Sequence, residues 1–125
     1  MSQFLLSVWH DGEYPTPTSE VMERMHAQVG ALNDALIAAG AMVFGGGLLP
    51  KSTAAVARAG ADGHVTWHEA PFSAGAEQTG GFWVIDVADL DTARAWATKA
   101  AAACLASVEV RAFQGAAEQP EQESR

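Results

Sequence analysis

The sequence predicts an α+β fold of the ferredoxin-like kind, a βαββαβ arrangement with an extra hairpin. Two observations carry this prediction. Short stretches rich in β-branched and aromatic residues alternate with two longer stretches whose apolar residues recur at helical spacing. Turn residues separate these stretches in the order strand, helix, strand, hairpin, strand, helix, strand. Both helices would cover one face of the sheet, so we expect a second subunit to bury the other face.

The first strand is predicted at residues 4–9, in the middle of the sheet. Prolines at positions 15 and 17 keep the following segment out of a helix interior. Thr18 or Ser19 then caps the first helix, and Gly40 ends it. The predicted buried stripe of this helix consists of Val21, Met25, Val29, Leu32 and Leu36.

The second predicted strand, residues 41–49, contains glycines at positions 45–47, which indicate a bulge or the close approach of a backbone or ligand. Residues 52–59 and 64–68 flank a glycine-containing turn and are predicted to pair as an antiparallel hairpin. Residues 81–87 form the strongest strand prediction. Both of its faces are apolar, which indicates that both are covered.

Asp89 is the predicted cap of the second helix, and residues 107–113 form the closing strand. The buried stripe of this helix is predicted to be Ala93, Trp96, Ala97, Ala100 and Cys104. Cys104 therefore reads as a buried, inert thiol. Residues 1–113 form one predicted domain, and the polar, acidic residues 114–125 are predicted to be a disordered tail.

The overall charge narrows the choice of partners. Seven basic and fifteen acidic side chains give a formal charge of −8, and no Lys or Arg cluster is present to bind nucleic acid. No stretch reaches the roughly 20 apolar residues that cross a bilayer, and the first residues lack the basic start of a signal peptide. We expect a cytoplasmic protein without a membrane partner. The low charged fraction, 18%, favours a homodimer.

The candidate site lies in residues 64–87, where aromatic, imidazole and carboxylate side chains are concentrated. His68 and Glu69 are candidate general bases, and His26 is a third catalytic candidate that needs a partner from another element. The predicted substrate-binding residues are Trp67, Phe72, Glu77 and Trp83.

Each of these residues also has a purely structural interpretation. A surface or rim position is favoured for His26 over a catalytic one, and a core or interface position is favoured for each tryptophan over a pocket. His64 and His68 share a strand face but lie roughly 13 Å apart over four residues, too far for one metal ion. We therefore predict no metal and no cofactor.

Several segments resemble the YCII-related proteins, particularly the branch named for an Asp-Gly-Pro-Phe motif. The resemblance covers about residues 3–113 and includes the glycine-containing run at 38–50, the Pro71-Phe72 turn and the Gly-Gly-Phe-Trp-Val-Ile-Asp-Val strand at 80–87. It continues in the Asp-Leu-Asp helix start at 89–91 and the closing Ser-Val-Glu-Val-Arg at 107–111. The first two motif residues stand here as Glu69-Ala70, so a carboxylate is kept one methylene further from the backbone.

This resemblance implies a dimeric α/β barrel-like assembly, related to small ring-processing enzymes, with a pocket between sheet and helices. Some family members carry a proposed His-Asp dyad whose histidine lies on the first helix. Val29 stands nearest to that position here, and His26 lies about one turn earlier. We do not transfer the dyad.

Two functional hypotheses follow. The first is an enzyme that transfers protons on a small organic acid or ring compound, with Glu69 or His68 as base. The second is a non-catalytic homodimeric module that binds a small molecule or another protein through the same residues.

Overall fold

The computed structural model describes residues 1–11 and 18–115. Its regular elements, in chain order, are β1 (Ser2–His10), α1 (Ser19–Ala38), β2 (Met42–Gly47), β3 (Val56–Ala59), β4 (Val65–His68), β5 (Gln78–Val87), α2 (Leu90–Cys104) and β6 (Ser107–Ala112). A short 3₁₀ helix, Lys51–Thr53, lies between β2 and β3.

The four long strands form one antiparallel sheet in the order β2-β5-β1-β6. The strand that begins the chain is therefore central, as predicted. β3 and β4 pair with each other in a separate two-stranded sheet. This order of strands and helices confirms the ferredoxin-like α+β prediction.

The core lies between the sheet and the two helices. The register of β1 against β5 sets Phe4 opposite Ile85 and Leu6 opposite Trp83. Because side chains alternate along a strand, these residues share the face that meets the helices. The fully buried side chains of largest volume are Leu6, Leu36 and Ile85, one each from β1, α1 and β5. Burying each of them stabilises the fold by about 1.5–3 kcal/mol.

Both ends of α1 have local causes. The Thr18 hydroxyl accepts a hydrogen bond from the Val21 amide at 3.3 Å, which caps the start. At the other end Gly40 has φ +70°, a conformation that glycine adopts without steric cost. The Gly40 and Ala41 amides then reach back to two carbonyls of the last turn, in the pattern of a Schellman motif.

The start of α2 is capped by Asp89, as predicted, because its carboxylate accepts a hydrogen bond from the Thr92 amide at 2.8 Å. The buried face consists of small residues, which let the helix lie close to the sheet. These residues are Ala93, Ala97, Ala100 and Ala103. Trp96 and Cys104, predicted for the same stripe, are partly buried against the core.

The bounds of β1, β4 and β6 differ from the predicted ones by one or two residues, and three other predictions differ in kind. β2 is shorter than residues 41–49, because Ala41 closes the helix end and the chain leaves the sheet after Gly47. β5 begins at Gln78, where β1 still offers a pairing partner. The first residues of the predicted segment 52–59 form a 3₁₀ helix instead of strand. The proline segment at 15–17 and the tail from residue 116 lie outside the described residues.

The sheet face away from the helices is also apolar. Leu5 and Phe44 both pair with Val84, so these three side chains share that face. The Phe44 and Phe82 rings lie there with centroids 6.0 Å apart. We call this surface, defined by Leu5, Phe44, Phe82 and Val84, the outer face. Phe44 is 58% exposed, so the outer face is incompletely covered within one chain.

Candidate functional site

A cavity of about 270 Å³ lies between the helices and the main sheet. Its floor includes five glycines on two neighbouring strands, Gly45 to Gly47 on β2 and Gly80 and Gly81 on β5. Strand pairing sets Gly45 opposite Trp83 and Gly47 opposite Gly81, so these three glycines face the helices, whereas Gly46 pairs with Phe82 and faces away from them. Gly47 and Gly81 therefore add no side chain to this end of the layer. The cavity therefore results from the glycines at one end of the otherwise packed layer between the sheet and the helices.

A ridge of α1 faces this floor. Met25, Val29 and Asn33 line the cavity, and each lies four residues after the one before. Residues at this spacing stack on one side of a helix, so the ridge forms a continuous wall. The wall is apolar except at Asn33. Val29, the position nearest to the family's proposed dyad histidine, supplies only a hydrocarbon surface.

The indole of Trp83 closes one side of the cavity. A Cβ added at Gly45 would lie 2.5 Å from Trp83 Cδ1, so the ring lies directly over that glycine. The Trp83 side chain is only 6% exposed, and its Nε1–H donates a hydrogen bond to Asn33 Oδ1 at 2.8 Å. This bond joins the floor strand to the helical wall.

The bond also fixes the orientation of the Asn33 amide. An indole nitrogen donates and does not accept, so the amide must turn its oxygen toward Trp83. The Asn33 Nδ2 group, with its two hydrogens, therefore points away from the indole. Asn33 lines the cavity, and its Nδ2 group has no hydrogen-bond partner among the described residues.

His10 and Cys104 are the remaining polar side chains of the lining. Burial raises the pKa of the Cys104 thiol, which disfavours the nucleophilic thiolate. Among the described residues, no Asp, Glu, Lys or Arg lines the cavity. The site is thus mostly apolar, with an imidazole, an amide and a neutral thiol.

Three of the residues predicted from sequence lie together outside this cavity. Trp67, His68 and Glu69 are exposed at the end of β4, and Trp67 is 68% exposed. In the part of the chain that the structure describes, neither His68 nor Glu69 has a side-chain hydrogen bond or ion pair. The imidazole and the carboxylate therefore face solvent within a single chain.

Phe72 follows on the same side of the molecule and packs against the hairpin. The Arg58 guanidinium of β3 lies 4.9 Å from the centroid of its ring, within cation–π distance. Nearby, Lys51 Nζ donates a hydrogen bond to the Gly75 carbonyl at 2.6 Å. These two contacts attach the segment after β4 to the hairpin and the 3₁₀ helix.

The other predicted residues are dispersed. His26 is exposed on α1, one residue after the cavity-lining Met25. Glu77 lines a second depression beside Trp9 and Glu109. Trp83 is the one predicted site residue that lines the cavity of the described chain.

Sequence reasoning did not assign His10, Asn33 or Cys104 to a site. One signal was available for Asn33, because it continues the apolar row of Met25 and Val29 with an amide. The glycines at 45–47 gave another signal, since they indicated close approach by a backbone or ligand. No sequence signal places these groups around one cavity, because their neighbourhood depends on strand pairing.

Two features are absent from residues 1–11 and 18–115. No group of three or more His, Cys, Asp or Glu side chains is placed to hold a metal ion. Neither helix is long and apolar enough to span a membrane.

The fold and the cavity define a ferredoxin-like α+β protein with a small, uncharged site between its helices and its sheet. The chain belongs to the YCII-related family, because the model of the YCII-related domain matches residues 9–114. The narrower assignment to the Asp-Gly-Pro-Phe branch stays a prediction. Curated proteins gave no match to this chain.

Proposed function

We propose that this chain binds a small, mostly apolar molecule in the cavity between Trp83 and the ridge of α1. The observation that carries the proposal is the glycine floor, because Gly45, Gly47 and Gly81 face the helices without side chains, beside a buried indole. Its volume of about 270 Å³ suits a compact ligand, since pockets for drug-sized molecules span roughly 300–1,000 Å³. This proposal keeps the binding function of the second hypothesis drawn from the sequence but moves the site, since Trp83 is the one predicted site residue in the described lining.

The lining supports binding more than catalysis. General acid–base chemistry needs a positioned base and commonly a second group that orients it. The described lining contains no Asp or Glu, and burial keeps its thiol neutral. The enzymatic hypothesis would instead need His68 and Glu69, which are exposed at the end of β4.

Filling the cavity tests the proposal. Val29→Phe places a ring in the space beside the glycine floor, whereas Ala27→Phe adds the same ring on the exposed side of α1. Phenol, indole and acetophenone serve as probes, and binding is measured by saturation-transfer NMR. We expect the native chain and Ala27→Phe to bind at least one probe, and Val29→Phe to bind it at least tenfold more weakly.

Two readouts keep this test decisive. Near-ultraviolet circular dichroism checks that Val29→Phe folds, and a bound probe should shift the Trp83 indole signal of the native chain. Binding of no probe, or equal binding by Val29→Phe, contradicts the proposal. If Glu69→Gln abolishes binding while Val29→Phe does not, the site lies at the hairpin and the enzymatic hypothesis gains support.

We further propose that the chain is a homodimer assembled through the outer face. Phe44 and Phe82 form an aromatic pair on that face, and Phe44 is 58% exposed. Trp67 and Phe72 of the hairpin region are 68% and 72% exposed. Large exposed apolar patches are uncommon on monomers and mark interaction surfaces. A second copy of the chain would cover this surface with its own equivalent.

The oligomeric state can be measured by sedimentation velocity. We expect a species of twice the chain mass of 13.1 kDa. Phe44→Glu places a charge on the outer face and should yield monomer. Ile37→Glu is the matched control, because Ile37 is 62% exposed on α1 and lies away from that face. A native monomer, or a dimer that Phe44→Glu leaves intact, contradicts the proposal.

A further inference from the structure

The wall of the cavity contains a hydrogen-bond donor with a fixed direction. Trp83 Nε1–H holds the Asn33 Oδ1 atom at 2.8 Å and so determines which way the amide faces. The Nδ2 hydrogens remain, and no described residue accepts a hydrogen bond from them. The Nδ2 group is not enclosed by protein, so it is open to a ligand oxygen, and a hydrogen bond to that oxygen would contribute about 0.5–1.5 kcal/mol.

We infer that Asn33 selects ligands that carry an uncharged carbonyl oxygen on a flat apolar body. This inference rests on the proposed function of the same cavity and names the class of ligand. The Asn33 amide donates to the carbonyl oxygen, while the glycine backbone and the Trp83 indole contact the flat body. Asn33 is a binding residue in this arrangement, and Trp83 is its positioning residue.

The charge of the lining decides between a carbonyl and a carboxylate. The described lining contains no Lys or Arg that would pair with a carboxylate. Taking an unpaired carboxylate out of water is expensive, whereas a neutral carbonyl needs only a single good donor. The lining therefore favours a neutral carbonyl over a carboxylate.

Three probes of similar shape separate the alternatives. Acetophenone has the carbonyl oxygen, α-methylstyrene replaces that oxygen with a CH₂ group, and benzoate carries a full charge. At pH 8 we expect acetophenone to bind about tenfold more tightly than the other two, the effect of one hydrogen bond of about 1.4 kcal/mol. Affinities are measured by isothermal titration calorimetry or ligand-detected NMR.

Asn33→Asp isolates the donor. An aspartate keeps an oxygen that accepts from Trp83 but has no hydrogens to donate. The Asn33→Asp chain should bind acetophenone about tenfold more weakly than the native chain does. Its affinity for α-methylstyrene should be no higher than that of the native chain, so that both probes bind it equally. Gln28→Glu makes the same amide-to-carboxylate change on the exposed face of α1 and should alter neither affinity.

A direct signal is available even if Asn33→Asp folds poorly. Asn33 is the only asparagine in the chain, so labelling with ¹⁵N-asparagine gives one side-chain amide pair in the spectrum. Acetophenone should shift this pair, and α-methylstyrene should shift it much less.

The outcomes distinguish this inference from the proposed function. Equal binding of acetophenone and α-methylstyrene, or an unmoved Asn33 amide pair, overturns the selection by Asn33 while leaving a binding cavity. Tightest binding of benzoate at pH 8 overturns the preference for an uncharged group. If no probe binds, the proposed function fails and this inference fails with it.

Discussion

Trp83 and Asn33, fifty positions apart in sequence, are joined by a 2.8 Å hydrogen bond from the indole nitrogen to the amide oxygen. The bond links β5 to α1 at the edge of the cavity. It therefore serves two purposes, because it connects the sheet to a helix and it orients the one amide of the wall. Each purpose has a measurable consequence.

The stability of the chain should depend on this pair. Trp83→Phe and Asn33→Ala each remove one partner, and each should lower the free energy of unfolding by about 1–3 kcal/mol. Because both variants remove the same bond, the double variant should lose about 0.5–1.5 kcal/mol less than the sum of the single losses. Urea denaturation gives the three values. If the loss of the double variant equals the sum of the two single losses to within about 0.3 kcal/mol, the hydrogen bond contributes nothing to stability.

The glycine at position 45 should be indispensable, in contrast to its neighbour. Gly45→Ala places a Cβ 2.5 Å from Trp83 Cδ1, so the indole must move, at a cost of about 1–3 kcal/mol. Gly46→Ala meets only the Phe44 ring at 3.9 Å, an ordinary contact. Its stability should stay within about 1 kcal/mol of the native value, since alanine suits a strand better than glycine does. Thermal unfolding of both variants, with Trp83 emission as a second probe, tests the contrast.

Asp89 should stabilise α2 in a manner that depends on pH. The hydrogen bonds from the Thr92 hydroxyl and amide lower the pKa of this carboxyl. A lowered folded-state pKa contributes stability above the unfolded value of about 3.9, and this contribution is lost as pH falls through the folded value. Asp89→Ala should therefore lower Tm at pH 7, and the difference from the native chain should shrink toward pH 2. Asp89→Asn still accepts a hydrogen bond, so its Tm at pH 7 should fall less than that of Asp89→Ala. A Tm difference between Asp89→Ala and the native chain that stays constant with pH would contradict this account.

Cys104 should react slowly with alkylating reagents. Burial raises its pKa, so the reactive thiolate is scarcer in the folded chain at pH 8 than in urea, where an ordinary thiol has a pKa of about 8.5. Because the raised pKa favours the protonated thiol, the contribution of Cys104 to stability is present below about pH 8.5 and is lost as pH rises through the folded-state pKa.

The alkylation rates of Cys104 in native buffer and in urea are measured by iodoacetamide labelling followed by mass spectrometry. A bound probe should slow the reaction further, since Cys104 lines the cavity; rates equal in native buffer and urea would contradict the assignment.

Much of the fold followed from local patterns. The cap of α1 at Thr18 or Ser19, the cap of α2 at Asp89 and the end of α1 at Gly40 were predictable, because each depends on residues within a turn or two of sequence. The ends of a strand were harder to predict where pairing with another strand decided them. Gln78 extends β5 because β1 is present to pair with it, and no residue beside Gln78 signals this.

The sequence by itself determined which elements form, their order and the apolar stripes of the two helices, since hydrophobic periodicity is a local property. Only the tertiary structure decided where a cavity lies. The glycines of β2 and β5 become one floor through strand pairing, and Asn33 becomes a polar wall only because Trp83 of β5 lies against α1. The residues around His68, prominent in sequence, are exposed on a separate hairpin, because β3 and β4 pair with each other instead of joining the main sheet.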